Sequence, residues 1–196
     1  MKHIIVGTNR PGSNSKKVAL IVQKLFEEKG EKVDIMDLAD TEIEQTHGGH
    51  FGGKTALPAK MQKAINDIVN SEGIIFVIPE YNGSMPGVLK AFVDHWKFPQ
   101  SFEGRPVAFI GLGGMWAGLR PVEHMMQVMS YRNAYLFPLR VFLQNVWKLV
   151  NTNGQIEDTT IMALLNQQVE GFQKFCRALK SEGLDANSLN AKRPPK

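Results

Sequence analysis

A doubly wound α/β fold, one parallel sheet with helices on both faces, is the class this sequence predicts, and three observations predict it. Short apolar runs alternate along the chain with segments whose apolar residues recur at i, i+3/i+4 and i+7. The run Gly73-Ile74-Ile75-Phe76-Val77-Ile78 is continuous rather than alternating, the pattern of a strand buried on both faces. Three of the runs end in loops rich in Gly, Ser and Asn. Alternation of strand and helix implies parallel pairing through right-handed crossovers.

The first run, His3-Ile4-Ile5-Val6, breaks into Gly7-Thr8-Asn9-Arg10-Pro11-Gly12-Ser13-Asn14-Ser15. From Ser15 a helix is predicted, with Val18, Ala19, Val22, Leu25 and Phe26 on one face. Lys29-Gly30-Glu31 closes it, and Val33, Ile35, Met36 and Leu38 give a second strand. Residues 40–58 predict a long polar loop carrying Gly48, Gly49, Gly52 and Gly53. Its His47 and His50 lack an evident third ligand, so no metal site is expected. From Ala59 a helix returns with Met61, Ile65, Ile68 and Val69. The third strand, residues 73–78, runs into Pro79-Glu80-Tyr81-Asn82-Gly83-Ser84-Met85-Pro86-Gly87, and a helix follows with Val88, Leu89, Phe92, Val93 and Trp96 on one face.

Residues 106–111 form the fourth strand and enter Leu112-Gly113-Gly114-Met115-Trp116-Ala117-Gly118. The next helix places Val122, Met125, Met126 and Met129 in the core. A fifth strand is predicted over residues 134–143, with Pro138 marking an edge or a bulge. Asn153-Gly154 reads as a turn. A last helix from about Asp158 buries Ile161, Leu164, Leu165, Val169, Phe172, Phe175 and Leu179, with Cys176 as a core thiol. Five strands and five helices result, with no internal repeat or linker. The expected layout is one domain over residues 1–185 and a disordered basic tail over 186–196.

Composition narrows the class of function. A chain of 196 residues with 43% hydrophobic and 21% charged residues is ordinary for a soluble globular domain. The net charge of +4 suits anionic small molecules better than nucleic acid, since no Lys/Arg stripe with interleaved aromatics is visible. One Cys forms no internal disulfide, no signal peptide is expected with the first strand starting at once after Met1-Lys2, and no apolar run approaches a membrane span. A cytoplasmic protein is expected.

The three special loops follow strands one, three and four. In a sheet of order 2-1-3-4-5, the flavodoxin-like three-layer sandwich, those strands are adjacent and their loops form one site. The first loop, between a strand and a helix N-terminus, gathers backbone N–H groups at the positive end of a helix dipole. Thr8, Ser13 and Ser15 add hydroxyls, Asn14 an amide and Arg10 a planar cation, a set suited to a phosphate. Gly83, Gly113, Gly114 and Gly118 allow main chain to approach a flat polar edge, and Tyr81 and Trp116 supply apolar planes. A phosphate at one end and a wide planar heterocycle at the other describe flavin mononucleotide. A phosphate-loop nucleotidase also begins with Gly7-x4-Gly12, but Ser13-Asn14 replaces its Lys-Ser/Thr and no Asp follows the third strand.

The loops resemble those of the NADPH-dependent FMN reductase family. Residues 7–15 resemble its phosphate motif, G-[ST]-x-R-x-x-S-x-N, with Ser15 standing where the family has Asn. Residues 79–90 resemble its central P-E-Y-N-x-S-x-P-G-x-L-K stretch, and Gly114-Met115-Trp116-Ala117-Gly118 is similar to its third flavin-contacting loop. The resemblance covers roughly residues 2–180. It implies FMN, with its phosphate on Thr8, Arg10, Ser13, Asn14 and Ser15. The ring would then be lined by Pro79, Glu80, Tyr81, Asn82 and Gly83, and by Gly113, Gly114, Met115, Trp116 and Gly118.

The implied activity passes hydride from NADPH or NADH through FMN to a small-molecule acceptor: a quinone, an azo compound, a metal oxyanion or free flavin. No side chain is expected to act as acid or base. Arg120 and His124 are candidates for the phosphates of the nicotinamide cofactor. The resemblance also implies a homodimer or homotetramer, with the helix after Pro86 at the interface and His95 and Trp96 approaching the partner's flavin; in a monomer that face would be core. The alternatives are a flavodoxin-type electron carrier, disfavoured by the basic charge because such carriers dock through acidic surfaces, and a flavin-binding redox sensor.

Overall fold

The computed structural model describes residues 1–46 and 56–194, so His47, His50 and the four glycines of the long loop lie outside the described residues. Strand β1 (Lys2–Val6) leads into helix α1 (Asn14–Glu28), β2 (Val33–Asp37), α2 (Ala59–Val69), β3 (Ile74–Pro79), α3 (Gly87–Asp94), β4 (Pro106–Gly113) and α4 (Leu119–Tyr131). Then come β5 (Tyr135–Leu136), β6 (Val141–Gln144), α5 (Val146–Leu149), α6 (Thr159–Ser181) and α7 (Ala186–Ala191). The sheet is parallel in the order β2-β1-β3-β4-β5, with β6 also on β4.

The expected fifth strand is two short ones. β5 pairs with Pro106 and Val107, and β6 pairs with residues 110–113 of the same β4 edge. The break falls around Pro138, which has no N–H to give a ladder. The flavodoxin-like order therefore stands, with a sixth strand added.

Strand residues alternate between two cores because successive side chains point to opposite faces. Ile4, Val6, Ile75, Val77, Ala108 and Ile110 face α1 and α6, against Val18, Val22, Phe26, Leu165 and Phe172. Ile5, Ile74, Phe76, Ile78, Val107 and Phe109 face α2, α3 and α4, against Met61, Ile65, Leu89, Phe92, Val122 and Met125. Cys176 is buried in the first core, and burial pushes its thiol up to about 12. Trp96 is 6% exposed and packs among Phe76, Phe92 and Phe102. Within the single chain it is a core residue.

The segment expected to be disordered from residue 186 instead forms α7. Asp185 caps it by accepting from the amides of Asn187 and Ser188. Its Asn187 accepts from the buried Arg105 guanidinium at 3.3 Å, and Asn190 donates to the Gln100 carbonyl at 3.0 Å. Polar bonds, not an apolar stripe, hold this end of the chain.

At the N-terminal edge of the sheet Glu72 accepts from Lys180 at 2.7 Å and pairs with the Met1 ammonium at 3.2 Å. The Lys180 hydrogen bond, then the N-terminal charge, overcome partial burial and hold the Glu72 carboxyl down at about 2. A depressed carboxylate stabilises the fold above its unfolded pKa of about 4.3, and that stability is lost as pH falls toward its folded value. Lys180→Ala is expected to cost about 0.5 kcal/mol at neutral pH, since the pair is partly exposed. Urea titrations should show the difference from wild type shrinking between about pH 5 and pH 2.

Candidate functional site

Adjacent β1, β3 and β4 bring three loops to the carboxyl edge of the sheet, with Val6, Val77 and Ile110 in one register row. Ser13 caps α1, its hydroxyl accepting from the Lys16 amide at 3.2 Å. The amides of Asn14 and Ser15 open the helix with no acceptor among the described residues, as the first turn of a helix requires. The Ser15 hydroxyl is buried and has no hydrogen-bond partner among the described residues. A buried hydroxyl left unpaired is costly, so a ligand acceptor is the expected complement.

Two carboxylates close to this loop are held by partners other than Arg10. Lys16 holds Asp37 at 2.9 Å, and this contact raises the Lys16 ammonium above its ordinary value. Asn9 donates to Glu44 at 2.7 Å, which lowers the Glu44 carboxyl. Asp37 and Glu44 thus have partners of their own, Glu80 on the cavity wall accepts from the Gly118 amide at 3.2 Å, and Arg10 has no carboxylate partner among the described residues.

A cavity of about 140 Å³ is lined by Thr8, Arg10, Ser13, Asn14, Ser15, Pro79, Glu80, Tyr81 and Gly113, all expected from the sequence. Leu112, Val146 and Trp147 complete it and were not expected. Tyr81 reaches across from the β3 loop, and its hydroxyl shares a hydrogen bond with Thr8 Oγ1 at 2.9 Å. This bond ties the first loop to the second. Asn82, Gly83, Gly114, Met115, Trp116 and Gly118 lie outside that cavity, in the loops after β3 and β4. Met115 and Trp116 are 73% and 60% exposed.

The second loop is a tight turn: Tyr81 and Ser84 exchange backbone bonds at 2.9 and 3.1 Å, with Asn82 at φ 51° and Gly83 at φ 73°. Two consecutive left-handed residues are what such a turn demands. Ser84 Oγ shares a hydrogen bond with His124 Nδ1 at 2.9 Å, and Arg120 Cδ lies 3.9 Å from where a Cβ on Gly83 would be. The two α4 residues singled out from the sequence therefore stand at this turn.

Gly118 has a packing role that the sequence reading did not foresee. At φ 80° it lies so close to β4 that a Cβ would sit 2.4 Å from the Leu112 nitrogen. Its amide donates to Glu80 Oε2 at 3.2 Å, so it is spent within the protein. Gly118→Ala should lower stability by about 2–3 kcal/mol, read as a drop in thermal midpoint.

Strand order and layers define a flavodoxin-like protein whose β1, β3 and β4 loops meet at one cavity at the strand ends. The chain belongs to the NADPH-dependent FMN reductase family, whose pattern it matches over residues 3–148. It is 26% identical over 187 residues to a quinone reductase of Escherichia coli K12, covering 90% of this chain and 95% of that one. It is 28% identical over 127 residues to an NAD(P)H-dependent FMN reductase of Pseudomonas aeruginosa, covering 63% of this chain and 69% of the relative. In structure it is similar to FerB, a flavoenzyme NAD(P)H:(acceptor) oxidoreductase from Paracoccus denitrificans, with a TM-score of 0.72 at 19% identity, covering 90% and 96% of the two chains.

Proposed function

We propose that this chain, an FMN-dependent oxidoreductase using NAD(P)H by its family, holds the FMN phosphate on Thr8, Arg10, Ser13, Asn14 and Ser15. The single observation that carries the reading is the buried Ser15 hydroxyl, beside the open amides of α1 and Arg10, neither side chain having a protein partner among the described residues. That donor set fits a dianionic phosphate. Residues 79–83 and 113–116 would line the ring, with Tyr81 and Trp116 offering apolar planes.

When bound, FMN accepts hydride from the nicotinamide and passes electrons to the acceptor. The chain's own task is to fix and bias it. Arg10 and the α1 amides anchor the phosphate. The Asn82 and Gly83 amides, which have no acceptor among the described residues, are free to orient a polar ring edge. Glu80 Oε2 accepts from the Gly118 amide and so braces the second loop against the third. Arg120, close to Gly83, is positioned to attract the phosphates of the nicotinamide cofactor.

The acceptor is a quinone, an azo compound, a metal oxyanion or free flavin. Sustained NADPH oxidation by the purified protein with a quinone present tests enzyme against carrier or sensor. Turnover supports the enzyme; reduction of bound flavin only once, with no further NADPH consumed, contradicts it.

Among the described residues no helix is long and apolar enough to cross a membrane. A cytoplasmic location is proposed on the sequence, together with a homodimer through the α3–α4 face. Phe98 and Tyr131 are exposed there, flanking Arg132 beside a cavity of about 640 Å³. Sedimentation distinguishes dimer from monomer and tetramer. Residues 1–185 are proposed to be one FMN-binding domain.

A further inference from the structure

Trp147 is one of the large apolar side chains that the fold leaves uncovered, at 57% exposure, and it makes no ring contact with another aromatic among the described residues. Its position is fixed from both sides. Asn145, at φ 49°, turns the chain out of β6 into the single turn of α5. The Asn145 amide points to the Gly114 carbonyl at 3.5 Å, and Gln144 Nε2 donates to the Met115 carbonyl at 3.0 Å. The end of β6 is thereby laced to the glycine loop after β4. As a result the indole lies on Gly114, with Cη2 3.4 Å from where a Cβ would stand. The same indole also walls the cavity that contains Arg10, Ser13 and Ser15.

Trp147 thus spans from the anion cradle to the glycine loop, the two halves of the proposed site. The cavity of about 140 Å³ is below the roughly 300 Å³ usual for small-molecule sites, so a flavin nucleotide must extend beyond it. Its way out toward the glycine loop passes the indole.

We propose that Trp147 is an FMN-binding residue of this chain. Its indole packs against the cofactor between the phosphate cradle and residues 113–114 and shields that stretch from water. The apolar area now facing solvent is what cofactor binding buries, and an electron-rich indole beside an electron-poor heterocycle adds a stacking preference. The inference rests on the FMN reading above and goes beyond it in assigning a residue outside all three loops. Uncovered indole also suits contact with a second copy of the chain, and the test separates the two.

Apoprotein of the wild type, Trp147→Ala and Trp147→Phe is titrated with FMN, following quenching of the free-flavin fluorescence. All three are checked by circular dichroism and sedimentation. Trp147→Ala should raise the FMN dissociation constant about tenfold, and Trp147→Phe, which keeps an aromatic face, by less than about threefold. In a Trp116→Phe background, FMN should quench the indole emission, and further replacement of Trp147 by Phe should remove most of that quenching.

An FMN affinity for folded Trp147→Ala within about twofold of wild type overturns the proposal. So does a changed sedimentation coefficient with unchanged affinity, which would make Trp147 a contact between copies. A wild-type chain that binds no FMN sinks the functional reading itself, whereas wild-type binding that is insensitive to Trp147 sinks only this inference.

Discussion

Arg10→Ala is expected to weaken FMN binding by about 1.5–3 kcal/mol, about 10- to 150-fold in dissociation constant. The size follows from the surroundings. Asp37 and Glu44 are occupied by Lys16 and Asn9, so the Arg10 charge is not spent on the protein. A guanidinium grips two phosphate oxygens at once, where a hydroxyl grips one. Because Arg10 is exposed and caps nothing, the thermal midpoint of the apoprotein should hardly move. Equilibrium titration of the apoprotein with FMN checks the first expectation and differential scanning fluorimetry the second. Arg10→Lys keeps the charge but not the fork, and should fall between the two. If Arg10→Ala binds FMN like wild type, the phosphate lies elsewhere.

Arg105→Met should show the reverse pattern, a large loss of stability with little loss of affinity. Arg105 is 1% exposed and donates to the carbonyls of Val69 at 2.8 Å, Gln100 at 3.0 Å and Ser101 at 3.3 Å, as well as to Asn187. Burial lowers its guanidinium to about 10, partly opposed by Asp185, so it stays charged at neutral pH. Methionine keeps much of the stem and removes every donor, leaving buried carbonyls unpaired. The expected cost is about 3 kcal/mol, or about 6–12 °C in thermal midpoint. Arg105 immediately precedes β4, at the sheet edge opposite the cradle, so FMN affinity should change by less than about twofold. The substitution should also free α7, read as faster proteolysis after residue 185.

These two residues show where the sequence was legible. Arg10 stands within a loop whose local chemistry (strand, glycine, hydroxyls, helix cap) predicts its own geometry, and Ser13 caps α1 with its side chain. Ile75, Phe76 and Val77 likewise announce a central strand, because burial on both faces removes any polar alternation. Arg105 gives no such signal, since its four acceptors lie in segments spread from residue 69 to residue 187. For the same reason α7, with Leu189 as its one large apolar residue, reads as tail: its anchors are Asp185 and Arg105 rather than a periodic stripe.

Trp147 was hidden differently. A four-residue helix is too short for periodicity to register, and only the pairing of β6 with β4 brings it to Gly114. A helix face looks the same in sequence whether it packs on a sheet or on a partner, and in the single chain Trp96 packs among Phe76, Phe92 and Phe102. Gly118 stands in a loop whose glycines read as room for a flat ligand, whereas the close approach seen at this one is to β4, a neighbour set by tertiary packing.

The proposed chemistry requires that the ends of β1, β3 and β4 hold an FMN which NADPH can reduce. The most direct measurement is the visible spectrum of the purified protein, supplemented with FMN if needed and freed of excess, before and after anaerobic NADPH. The account predicts a bound, yellow flavin that bleaches on NADPH addition and returns when an acceptor is supplied. A protein that stays colourless after incubation with FMN, or a bound flavin that NADPH leaves oxidised, would contradict it.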